Sequence, residues 1–154
     1  MNDFTPASVL LVEDNPDDVV LIRDAFQRAG IDCYLHLAAD GDEAISYLDG
    51  KGDYSDREKH PLPAVVLIDL KLPGKSGHEV LAWMNRQKSL AHVMRMVLTG
   101  SDNPADADKS NRLGAHGYLI KPLTTEQLTG PGRNLRMILM GNRPHPLVVT
   151  PESG

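Results

Sequence analysis

A chain of 154 residues, 41% hydrophobic and 24% charged, has the length of one domain and the composition of an ordinary globular protein. The net charge of -5 argues against a nucleic-acid binder, and a single cysteine, Cys33, excludes an internal disulfide and fits a reducing cytoplasm. No apolar run approaches the roughly 18 residues of a membrane span, and the first residues lack the basic and apolar segments of a signal peptide.

Strands and helices alternate along the chain. Residues 8–12 form a short apolar run and read as a buried strand. Asn15-Pro16 then starts a helix, Asn as N-cap and Pro at the first helical position, and Gly30 stops it. Val19, Ile22, Phe26 and Ala29 share its inner face. A second strand covers residues 33–37 and a short helix residues 42–48. Residues 50–63 are a polar link longer than the usual two to six residues, expected to be either functional or mobile. The third strand is 64–68, followed by a helix over 77–87 with Val80, Leu81 and Met84 inward. The fourth strand is 94–98, and Asn103-Pro104 starts a helix that ends at Gly114. The fifth strand is 116–120, and a last helix runs roughly from 125 to 140. Repeats of this kind imply right-handed crossovers and a doubly wound α/β fold: five parallel strands with helices on both faces. Residues 1–6 read as an extension, 7–140 as the domain, and 141–154, with three prolines, as a loosely ordered tail.

Four polar signals stand where strands run out. Glu13-Asp14 follows the first strand, Asp69 the third, Thr99 the fourth and Lys121 the fifth. In an open parallel sheet the carboxyl ends of the strands converge on one crevice, where such folds do their chemistry. Two unit charges about 4 Å apart repel by about 4 kcal/mol at an effective dielectric of about 20. Three carboxylates gathered there must therefore take up protons or find a cation. Hard oxygen ligands suit Mg²⁺, which binds through one or two carboxylates together with phosphate. Lys121 and the Thr99 hydroxyl could then neutralise a phosphoryl group carried by Asp69.

With these residues in place the chain resembles the receiver domain of two-component response regulators over roughly residues 7–140. The matching text is Leu10-Leu11-Val12-Glu13-Asp14-Asn15, then Val66-Leu67-Ile68-Asp69-Leu70-Lys71-Leu72-Pro73-Gly74 with Ser76-Gly77, then Leu98-Thr99-Gly100, then Gly117-Tyr118-Leu119-Ile120-Lys121-Pro122. The resemblance implies the flavodoxin-like strand order 2-1-3-4-5 of the chemotaxis receiver. It implies Asp69 as the phosphorylation site, with Mg²⁺ held by Glu13, Asp14, Asp69 and the backbone carbonyl of Lys71. It implies that Lys121 pairs with the phosphoryl group, that Thr99 bonds one of its oxygens, and that Tyr118 turns inward on activation. Lys121-Pro122 matches a cis peptide of the family. The implied partners are a histidine kinase or phosphotransfer protein and a downstream protein target, with no DNA or membrane. The chain is not expected to be an enzyme, since turnover belongs to the kinase.

The long link and the Glu13-Asp14-Asn15-Pro16-Asp17-Asp18-Val19 text are similar to single-domain regulators paired with bacterial phytochrome-type kinases, some of which dimerise. Two features depart from the family pattern. Pro131, flanked by glycines, sits inside the last helix, where proline costs about 3 kcal/mol. Leu128, Leu135, Ile138 and Leu139 nevertheless keep one helical phase, so a kink or two abutting helices is expected, the second beginning near Pro131. Homodimerisation or docking through that face is left open. Lys71, two residues after Asp69, is expected to affect how water reaches the acyl phosphate.

Rival classes fit less well. A flavin binder needs a phosphate-cradling first loop, whereas residues 13–18 hold four carboxylates. An aspartate-nucleophile phosphatase is expected to have a second acid where Lys71 stands. An interaction module of receiver fold that works without phosphorylation would lack an acidic or lysine position, and none is missing.

Overall fold

The short apolar runs form a single parallel sheet in the computed structural model, which describes residues 6–131 and 134–141. The strands are β1 (Ala7–Val12), β2 (Cys33–Ala38), β3 (Val65–Ile68), β4 (Met94–Thr99) and β5 (Gly117–Ile120). Their spatial order is 2-1-3-4-5, as expected. Helices α1 (Pro16–Arg28), α2 (Gly41–Asp49), α3 (Gly77–Asn85), α4 (Pro104–Arg112), α5 (Thr125–Thr129) and α6 (Leu135–Met140) flank it.

The sheet is covered on both faces, which explains why β3 is apolar at every position and fully buried. Successive strand residues point to opposite faces, and the two cores divide accordingly. Leu10, Val12, Val66 and Ile68 pack with Val80, Leu81 and Met84 of α3. Val9, Leu11, Val65 and Leu67 pack with Ile22 and Phe26 of α1 and Leu128 of α5. Side chains cap the helices as their sequences suggest. Asn15 Oδ1 accepts from the Asp17 and Asp18 N–H groups, and Ser76 and Glu79 form a reciprocal capping box at α3.

The link after α2 is tied down rather than loose. Gly50 ends α2 in the left-handed conformation at φ 69°. Arg57 donates to the carbonyls of Tyr47 (2.8 Å), Leu48 (2.8 Å) and His60 (3.1 Å), two of which belong to the last turn of α2. The Tyr54 hydroxyl donates to Glu43 Oε2 at 2.7 Å, and the rings of Tyr47, Tyr54 and His60 pack on one another. Arg57→Ala strips these carbonyls of a charged donor. It is expected to lower stability by about 1.5–3 kcal/mol, read as a lower urea midpoint at unchanged slope.

The break in the last helix is real but differs in position from the expectation. α5 ends at Thr129, and α6 begins at Leu135 rather than near Pro131. Asn134 sets the start: its Oδ1 accepts from Met137 N at 2.8 Å, and its Nδ2 donates to the Gly130 carbonyl at 2.7 Å. A side-chain cap of this kind outcompetes the preference of Pro131 for a first helical position. Leu128, Leu135 and Leu139 remain in one core, with Ile138 packed against it, so the common face survives the break. The expected extension and tail lie largely outside the described residues. Among the described residues, no helix is long and apolar enough to cross a membrane.

Candidate functional site

Strand register brings the polar signals together. Val12 pairs with Ile68, so the next residues, Glu13 and Asp69, leave adjacent strands side by side. Asp69 N donates to the Val12 carbonyl at 3.1 Å. Thr99 pairs with Ile120, and Lys121 N donates to the Thr99 carbonyl at 2.8 Å. All of these lie at the carboxyl edge of the sheet.

Carboxylate oxygens of Glu13, Asp14 and Asp69 lie within 4.8 Å of one another. Glu13 and Asp69 are buried, whereas Asp14 is exposed and opens the cluster to solvent. The Lys121 ammonium sits among them, 2.6 Å from Glu13 Oε1 and 2.7 Å from Asp69 Oδ2. It is also 2.7 Å from Asp18 Oδ2, a contact that reasoning from the sequence missed. The only hint was the run of four carboxylates over residues 13–18. Burial pushes the Glu13 carboxyl above its ordinary value, although hydrogen bonds from Lys121 and Asn15 N–H pull the other way. Burial also pulls on the Lys121 ammonium, but hydrogen bonds to Asp18, Asp69 and Glu13 outweigh it, and its pKa lies above the ordinary value.

Oxygen donors in this number suit a hard divalent cation. Glu13 Oε2 accepts only from Asn15 N (3.1 Å), and Asp69 Oδ1 only from Lys71 N (3.3 Å), among the hydrogen bonds described. The residues therefore fit a cation beside Lys121.

Thr99 is 1% exposed at the end of β4. Tyr118 is half-buried, and its hydroxyl donates to the Ser101 carbonyl at 2.9 Å. Ser101 in turn donates to Asp106 Oδ2 of α4 at 2.6 Å. α4 buries only Ser110, whose hydroxyl is 3.0 Å from His78 Nε2 of α3. This helix is held by polar contacts rather than by a large apolar face. The Lys121–Pro122 bond is cis.

A 2-1-3-4-5 parallel sheet with acids after β1 and β3 and a lysine after β5 defines a receiver-type α/β domain. The family model of the response regulator receiver domain matches residues 9–130, and the chain belongs to that family. It is 38% identical over 126 residues to the probable methanogenesis regulatory protein FilR2 of Methanothrix harundinacea, spanning 80% of this chain and 77% of FilR2. It is 36% identical over 123 residues to response regulator Rcp1 of Synechocystis, spanning 80% of this chain and 82% of Rcp1. Among solved structures, the phosphorylated cyanobacterial phytochrome response regulator RcpA superposes with a TM-score of 0.71 at 33% identity, over 80% of this chain and 86% of RcpA. Response regulator Rcp1 in its Mn²⁺-bound form superposes with a TM-score of 0.68 at 34% identity, over 87% of each chain.

Proposed function

We propose that this chain accepts a phosphoryl group on Asp69 from a histidine kinase or phosphotransfer protein and passes the signal on through protein contacts. The observation that carries this reading is the placement of Lys121 2.7 Å from Asp69, beside a three-carboxylate cluster at the sheet's carboxyl edge. Similarity to a phosphorylated phytochrome regulator and to a Mn²⁺-bound one supports it.

In the transfer, an Asp69 carboxylate oxygen bonds to phosphorus as the donor's P–N bond breaks, and the histidine leaves as neutral imidazole after taking a proton. Catalysis of such a step is mostly positioning and charge neutralisation. Lys121 supplies a fixed positive charge for the phosphoryl oxygens. Glu13, Asp14 and Asp69, with the Lys71 carbonyl, would hold Mg²⁺, which neutralises further charge on those oxygens when bound. The Lys71 side chain, exposed beside Asp69, would govern how water approaches the acyl phosphate.

The output is a population shift. A phosphoryl group adds about 1.5–2 negative charges and strong acceptors. The Thr99 hydroxyl meets one of its oxygens, the Tyr118 ring turns inward and gives up its bond to Ser101, and the weakly anchored α4 moves. Moving an equilibrium from 1:99 to 99:1 requires the phosphoryl group to favour one state by about 5.5 kcal/mol. The partner surface is that of a protein in the cytoplasm, neither DNA nor membrane, and similarity to phytochrome response regulators supports a kinase of the phytochrome type as the donor. A module of receiver fold that works without phosphorylation is disfavoured by the cost of keeping this charge cluster complete.

Incubation with phosphoramidate and Mg²⁺ tests the reading by intact-mass spectrometry. One phosphoryl group should appear per chain with Mg²⁺ and almost none with EDTA. Phosphorylation that is indifferent to EDTA would remove the metal assignments, and none at all would remove the function.

A further inference from the structure

An ammonium carries three N–H donors. Lys121 directs them at Glu13 (2.6 Å), Asp69 (2.7 Å) and Asp18 (2.7 Å). Under the proposed function, Glu13 turns to the cation and Asp69 to the cation and the phosphoryl group. Both must loosen their hold on Lys121 to do so. Asp18 has no such second duty.

The local structure suits Asp18 to a standing role. It lies in the first turn of α1, 103 positions from Lys121 in the chain. Asn15 fixes that turn by accepting from the Asp17 and Asp18 N–H groups. The Asp18 side chain is 29% exposed, against 9% for Asp69 and 1% for Glu13. It is thus the partner whose charge is least costly to keep when the others are taken. With Leu21, Ile22, Lys121, Pro122 and Leu123 it lines a groove of about 260 Å³.

We propose that Asp18 is a positioning residue that seats the Lys121 ammonium when Glu13 and Asp69 exchange it for a divalent cation and a phosphoryl group. The inference rests on the phosphoacceptor reading above. Without the Asp18 carboxylate the ammonium binds Glu13 and Asp69 more strongly, and a cation must compete harder for both. An amide oxygen could still accept from the ammonium but brings no negative charge to hold it against two other carboxylates, so an amide at this position is a poor substitute.

Mn²⁺ titration of the native chain, followed by the electron paramagnetic resonance of free Mn²⁺, tests this against three variants. Asp18→Asn should weaken Mn²⁺ binding by about five- to tenfold. Asp18→Glu keeps the carboxylate and should stay within about twofold of native. Asp17→Asn removes the same charge from the same turn without touching Lys121, and should also stay within about twofold. Thermal melts in EDTA check that all three fold. Equal weakening by Asp18→Asn and Asp17→Asn would overturn the proposal, as would a failure of Asp18→Glu to bind better than Asp18→Asn. A native chain that binds no Mn²⁺ would overturn the metal assignments as well, so the two failures are distinguishable.

Discussion

Lys121→Ala is expected to destabilise the protein by about 2–4 kcal/mol at pH 7 in EDTA. The substitution removes the positive charge shared by Glu13, Asp18 and Asp69, all within 2.7 Å of the ammonium. Glu13 and Asp69 are too buried for water to replace it fully. Breaking a buried ion pair from one side leaves an uncompensated charge, which costs far more than the net worth of the pair. The variant's deficit should also depend on pH in a definite direction. Glu13 already titrates above its ordinary value of 4.5, chiefly through burial, and losing Lys121 removes influences that hold it down. A carboxyl raised on folding contributes stability below its unfolded value, and that contribution is lost as pH rises through the folded value. The deficit therefore shrinks on acidification through this range. Millimolar Mg²⁺ should stabilise the variant more than the native chain, since a cation then meets no competing ammonium. Urea denaturation at pH 7 and at about pH 5, with EDTA or Mg²⁺, measures both effects. A native-like midpoint in EDTA would contradict the electrostatic account of the pocket.

Gly77→Ala should be nearly as damaging and for a steric reason. A Cβ at Gly77 would collide with the Asp69 backbone oxygen and lie 2.8 Å from Leu70 Cα. These are backbone atoms, so no side-chain rotation relieves the clash. Either α3 moves away from the sheet or Asp69 moves out of line with Lys121. The expected cost is about 2–3 kcal/mol, and a displacement of about 1 Å at Asp69 should slow phosphoryl acceptance about 100-fold. Denaturant melts and phosphoramidate kinetics read the two parts separately. A variant with native stability and a native rate would show that the β3–α3 connection does not position Asp69.

Much of this fold was legible in the sequence because strands buried on both faces are largely apolar. β3 reads as Val65-Val66-Leu67-Ile68, and any polar residue next to such a run stands out. That contrast marks Asp69, Glu13, Thr99 and Lys121 in the sequence alone. Asp18 offered no contrast. It lies one position before Val19 in a helix whose apolar face is clear, and its partner lies 103 residues away. Arg57 was equally silent, since its partners are backbone carbonyls, which carry no sequence signal. The start of α6 was misplaced because Pro131 is a strong local cue, whereas the cap that decides it, Asn134, is an ordinary polar residue. Helix boundaries set by one side-chain hydrogen bond are harder to read than elements set by many buried residues.

A phosphoryl group carried by Asp69 leaves a chemical trace that identifies the acceptor directly. Borohydride reduces an aspartyl phosphate to homoserine, which marks the acceptor for peptide mass spectrometry. After treatment with phosphoramidate and Mg²⁺, homoserine should appear at position 69 and nowhere else, and Asp69→Asn should give none. Homoserine at another position, or phosphorylation that persists in Asp69→Asn, would contradict the account.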